Sequence, residues 1–116
     1  MQSLSALGSA VGHLLKERRQ TLAVAESAAG GLINAALVAV PGASACYLGG
    51  GVIYTGASGP TGNRYGDAPG HACIAVSGPV EAAITVETGS SEREANMWAF
   101  ARRALELLES CLLSIR

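Results

Sequence analysis

An α/β fold follows from three features of the 116-residue sequence. Thr21 to Ala25 is a short β-branched and alanine run, the composition of a buried strand, and it passes through a small-residue turn into a helical pattern. Two further strand-like runs, Ala72 to Val76 and Ala82 to Glu87, flank the turn signal Ser77-Gly78-Pro79. Both ends of the chain carry apolar residues at helical spacing. The length suits one domain over residues 1–116.

Residues 3–19 place Leu4, Leu7, Val11, Leu14 and Leu15 on one helix face, with Lys16, Arg18 and Arg19 near its C-terminus, where cations are favoured. His13 has no second ligand near it in sequence and reads as structural. The strand that follows breaks at Glu26-Ser27. A helix resumes after Gly30-Gly31 with Leu32, Ala36, Leu37 and Val40, and Pro41-Gly42 ends it. Cys46 to Tyr54 reads as a second strand whose glycines, Gly50 among them, mark a close approach of a ligand or of other backbone.

Thr55 to Gly70 contains Gly56, Gly59, Gly62, Gly66 and Gly70 with Pro60 and Pro69. A loop this long points to function. Ser91-Glu92-Arg93-Glu94 fits a capping box for a last helix with Met97, Ala101, Ala104, Leu105, Leu108 and Leu112 on one face. Trp98 and Phe100 are expected in the core or an interface. From Ser27 to Asn63 there is no charged residue or histidine, as in a core, a subunit interface or a site built of backbone and hydroxyls.

Composition narrows the function. A net charge of −1 offers no basic field for nucleic acid or an anionic membrane. Asn34 and Pro41-Gly42 interrupt the best apolar run, so no membrane span is expected. Cys46, Cys73 and Cys111 are odd in number, lack C-x-x-C spacing and follow no signal peptide, which suits reduced thiols in a cytoplasmic protein. No metal or cofactor is expected.

The turn after the first strand is where chemistry is expected. A strand feeding a helix leaves unpaired N–H groups and the positive end of the helix dipole at the turn. Such a place suits a phosphate or a developing oxyanion. Glu26 and Ser27 are the reactive side chains there. A serine before Gly-Gly at a helix start also fits a plain N-cap.

Ala25-Glu26-Ser27 with Gly30-Gly31, Val40-Pro41-Gly42-Ala43-Ser44, Leu48 to Tyr54, Thr55-Gly56-Ala57-Ser58-Gly59-Pro60 and Ser91 to Glu94 together resemble the C-terminal domain of the CinA family. That resemblance implies a three-layer α/β/α sandwich with a mixed sheet, a tendency to form homo-oligomers, and metal-free hydrolysis of nicotinamide mononucleotide to nicotinate mononucleotide and ammonia. It puts forward Ser27 as nucleophile and Tyr54 as an orienting or proton-relaying group. Glu26 would hold the turn or bind the ligand, and the N–H groups of Ala28 to Gly31 would receive an oxyanion or phosphate. Thr55, Gly56, Gly59, Pro60 and Gly62 would wall the nucleotide, with Arg93, or else Arg64, on its phosphate.

Two departures stand out. Ala28 and Ala29 replace the family's Cys-Thr, which removes a hydroxyl from the turn. The family's lysine after the matched tyrosine, and the helix and strand after it, have no counterpart, because Tyr54 runs directly into Thr55-Gly56. Either the chain is a natural deletion or a segment near residues 54–56 is missing from it. The second reading is preferred, since losing a core strand exposes apolar edges. A non-catalytic nucleotide-binding or oligomeric structural module is the alternative to the amidase.

Overall fold

The computed structural model describes residues 2–52, 58–62 and 66–115. Its elements are α1 (Leu4–Arg18), β1 (Leu22–Glu26), α2 (Leu32–Val38), β2 (Tyr47–Val52), β3 (His71–Val76), β4 (Ala82–Glu87) and α3 (Arg93–Ser114). Tyr54, Thr55, Gly56 and Arg64 lie outside the described residues.

Ser3 starts α1 by accepting the Ala6 N–H at 3.1 Å, and Arg19 ends it in the left-handed region at φ 54°. The predicted apolar face is the buried one: Leu4, Leu7, Val11 and Leu15 pack with Phe100, Ala101, Leu105 and Leu112 of α3 in one core. Gly8 lets α2 come close, since a Cβ there would lie 2.5 Å from the Ala36 carbonyl oxygen. Phe100 is in the core as expected, whereas Trp98 is 43% exposed.

The expected capping box does not form. The N-cap of α3 is Glu92 without a side-chain bond, and the nearby serine bond is Ser90 Oγ accepting the Glu92 N–H at 3.1 Å. Helix α3 therefore begins under the control of the loop before it rather than of Ser91 and Glu94.

The expected strands are present, and the described residues do not join them into one mixed sheet. Among the described residues β1 pairs in parallel with β2, and β3 pairs antiparallel with β4, in two separate sheets. The β3–β4 hairpin turns at Ser77-Gly78-Pro79, as predicted. Helix α1 packs on α2 and α3, and α2 on α3. Along the strands Ala23, Ala25, Cys73, Ala75, Ala83 and Thr85 are exposed. The described residues thus form a mixed α/β fold of three helices and two two-stranded sheets. No helix among them is long and apolar enough to cross a membrane.

Candidate functional site

The turn joining β1 to α2 is built around a buried carboxylate. Glu26, the last residue of β1, is 6% exposed. Its Oε1 accepts the N–H groups of Gly31 (2.9 Å) and Ile33 (3.2 Å), and its Oε2 accepts those of Asn34 from the backbone (2.7 Å) and from Nδ2 (2.5 Å). The Tyr47 hydroxyl donates in turn to Asn34 Oδ1. Gly31, the N-cap of α2 at φ 97°, has no side chain to offer the helix, and Glu26 does that work from the preceding strand. Of the two roles expected for Glu26, the one found is holding the turn.

This changes the expected anion site. The Gly31 N–H is spent on Glu26, and the Gly30 N–H donates to the Ser27 carbonyl oxygen at 2.9 Å. Both amides are engaged within the protein. Gly50 also has a structural reason: a Cβ there would collide with the Val24 carbonyl oxygen and the Asn34 side chain, so protein rather than ligand makes the close approach. Ala29 is buried in the helical core, where a hydroxyl would need a partner of its own.

Ser27 is half-buried at the bend after β1 and lines a cavity of about 660 Å3. A second loop closes over the same turn. Ser58 Oγ donates to the Ala28 carbonyl oxygen at 2.7 Å, and Asn96 Nδ2 donates to the carbonyl oxygens of Ser58 (2.6 Å) and Ser90 (2.8 Å). The Thr88 hydroxyl completes this cluster on Asn96 Oδ1 at 2.6 Å. Arg93, expected on a phosphate, donates from Nη1 to the Gly59 carbonyl oxygen at 2.6 Å. Gly59, at φ 121°, precedes Pro60 and leaves no room for a Cβ against the Ser91 carbonyl oxygen. Gly62 is pressed likewise against the Asp67 carbonyl oxygen.

These contacts bring the start of β3 to the end of β1. His71 Nδ1 lies 2.5 Å from Glu87 Oε1, and Nε2 lies 3.6 Å from Asp67 Oδ1 and 3.7 Å from Cys73 Sγ. The hydrogen bond to Glu87 raises the His71 pKa above its ordinary value of 6.5, opposed by partial desolvation and assisted by the charges of Asp67 and Glu87. Asp67, His71 and Cys73 line the same cavity as Ser27. Among the described residues no three His, Cys, Asp or Glu side chains are grouped so as to hold a metal ion.

Sequence reasoning missed Asn34, Tyr47, Ser58, Asn96 and His71. A polar residue inside the apolar pattern of α3 was a visible signal for Asn96, and Asp67 four residues before His71 was one for the pair. Nothing local pointed to Tyr47 meeting Asn34.

The sequence pattern of the CinA C-terminal domain matches residues 4–56 and 51–112, in two pieces that overlap where Tyr54 meets Thr55. The chain belongs to the CinA C-terminal domain family. A CinA-like protein of Parasynechococcus marenigrum is 41% identical over 98 residues, which cover 82% of this chain and 22% of that relative. Another, from Thermotoga maritima, is 53% identical over 45 residues, 39% of this chain and 11% of the relative. The CinA domain described here thus spans about a fifth or less of the length of these curated relatives. A CinA superfamily crystal structure from Klebsiella pneumoniae 700603 superposes with a TM-score of 0.89 at 20% identity, covering 98% of this chain and all of the other. One from Escherichia coli superposes at 0.83 with 19% identity, covering 93% and 90%. At such identities the likeness is one of fold.

Proposed function

We propose that this CinA domain hydrolyses the carboxamide of nicotinamide mononucleotide, with Ser27 as nucleophile. The observation that carries the reading is the position of Ser27, half-buried on a bend that two hydrogen-bonded networks hold beside a cavity of about 660 Å3. Ligand pockets fall between about 300 and 1,000 Å3. Ser27 Oγ would attack the carboxamide carbon, the tetrahedral intermediate would expel ammonia, and water would release nicotinate mononucleotide from the acyl-serine.

The reaction also needs a proton carrier. The Glu26 carboxylate is occupied by four donors, and Lys16, the only lysine, donates to the Pro41 carbonyl oxygen at 2.6 Å on α1. His71 lines the same cavity as Ser27 and is the proton donor proposed for the departing ammonia. Tyr54 keeps the relay role that the family resemblance implies, with Thr55 and Gly56 beside the nucleotide.

The test is ammonia release from nicotinamide mononucleotide by the protein and by Ser27→Ala, with the melting temperature as the folding control. Loss of release at unchanged melting supports the reading; equal release by both removes Ser27 from the mechanism. A binding module without turnover is the second reading, favoured by Ala28 and Ala29 and by the engaged amides of Gly30 and Gly31. Saturable nucleotide binding without ammonia would establish it.

A further inference from the structure

The β3–β4 hairpin carries a nucleophile that the proposed hydrolysis does not use. Cys46 and Cys111 are buried, whereas Cys73, in the middle of β3, is exposed and lines the cavity. Side chains two residues apart on a strand share a face, and so do residues paired across neighbouring strands. His71 stands two residues before Cys73 and pairs with Glu87 across the hairpin. The register therefore brings a thiol, an imidazole and a carboxylate to one face.

The three groups touch in sequence. Cys73 Sγ lies 3.7 Å from His71 Nε2, and His71 Nδ1 lies 2.5 Å from Glu87 Oε1. A carboxylate only accepts, so Nδ1 carries the proton in that bond, and a neutral His71 keeps its lone pair on Nε2. The Cys73 thiol can donate to that lone pair. The bond to Glu87 raises the His71 pKa against partial desolvation, with help from the charge of Asp67, and a raised pKa makes a stronger base. Asp67 Oδ1, 3.6 Å from Nε2, also steadies the imidazolium that proton transfer creates. A nucleophile on a base that a third group orients is how weak nucleophiles are activated.

The surroundings set which reagent this thiol suits. Helix α3 lines the cavity with Phe100, Ala104, Leu105 and Leu108, none of them ionisable, and β4 sets Thr85 opposite Cys73. Among the described residues no lysine or arginine lines the cavity, and its remaining charged group is Glu26. The carboxylates of Glu26, Asp67 and Glu87 thus outnumber the one imidazolium, which makes a field that attracts cations. Exchange with a disulfide displaces one sulfur by another and develops no oxyanion. It asks of the site a nucleophile, a base and open space.

We propose that Cys73, with His71 as its base and Glu87 orienting the ring, is a thiol–disulfide exchange site for small disulfides bearing ammonium groups. His71 Nε2 takes the thiol proton, the Cys73 sulfur attacks one sulfur of the reagent, and the old S–S bond breaks as the new one forms. The leaving thiolate takes the proton back from His71. One thiol and one disulfide thus give one mixed disulfide and one thiol. The product tethers a cation to Cys73 in the cavity that Ser27 also lines. The inference does not rest on the amidase reading, and its test measures no turnover.

The probes are cystamine, a dication, and dithiodipropionate, a dianion, each rate being divided by that of N-acetylcysteine amide with the same reagent. Uptake is followed by intact mass and located by peptide mapping. The expected result is one equivalent per chain, on Cys73, with a normalised rate about tenfold higher for cystamine that narrows as salt is added. An unassisted thiol is about one-tenth thiolate at about pH 7.5, so His71→Gln should slow uptake there about tenfold. Glu87→Gln should slow it by a smaller factor. Cys46 and Cys111 staying unlabelled shows that a variant is folded, and if His71→Gln fails that check, Glu87→Gln decides. A parental rate in either folded variant, a faster normalised rate for the dianion, or label on Cys46 or Cys111 of the parent overturns the proposal.

Discussion

Two buried polar side chains hold the two walls of the candidate site, and they do it differently. Glu26 is a carboxylate at the end of a strand that accepts four N–H bonds from the first turn of α2. Asn96 is a neutral amide inside α3 that binds three groups from the loops before it and from the Ser58 loop. The carboxylate can only accept, so it serves a helix start, where donors are in surplus. The amide both donates and accepts, so it can join loops that offer a mixture. Each type stands where its inventory of donors and acceptors fits.

The largest effect should come from breaking the charged anchor. Glu26→Ala leaves four donors without a partner at the start of α2 and should cost about 3–5 kcal/mol. Glu26→Gln keeps the size but turns one acceptor into a donor facing donors, and should cost about half as much. Urea unfolding with an unchanged slope would measure both. If alanine and glutamine cost the same, the charge-assisted bonds are not what holds the turn.

Breaking the neutral anchor should cost less. Asn96→Ala strips the carbonyl oxygens of Ser58 and Ser90 and the Thr88 hydroxyl of their partner, for about 2–3 kcal/mol. It should also speed exchange locally at residues 58–62 while leaving β1 protected. Uniform loss of protection across both walls would mean that the networks are one unit. Arg93→Ala removes the Gly59 bond from an exposed side chain and should cost under about 1 kcal/mol.

Much of the fold was legible where the determinants are local. The apolar faces of α1 and α3 follow from spacing, and β4 runs from Ala82 to Glu87 as read. The capping box was misread because the Ser90 bond and the Asn96 cluster, contacts the sequence does not advertise, decide where α3 begins. Glu26 drew attention as a charge in a small-residue turn, and both of its possible roles were visible. Choosing between them needed Asn34, brought back to the strand end by one turn of α2. The division into two strand pairs was illegible for the same reason: periodicity finds strands but not their neighbours.

The smallest effect, and the one that separates the walls by pH, belongs to His71. Its hydrogen bond to Glu87 and its nearness to Asp67 raise its pKa in the folded protein above 6.5, and Cys73 is the remaining titratable group in contact. A raised pKa means that the folded state binds the proton more tightly than the unfolded chain does. The stabilisation is therefore complete below pH 6.5 and fades as the pH rises through the folded-state value. Glu87→Gln should lower the melting temperature below pH 6.5, and the gap to the parent protein should close at higher pH. The His71 ring protons should titrate at a midpoint above 6.5 in the parent and nearer to it in Glu87→Gln. A gap that persists unchanged into the alkaline range would show that Glu87 supports the hairpin through packing rather than through the imidazolium.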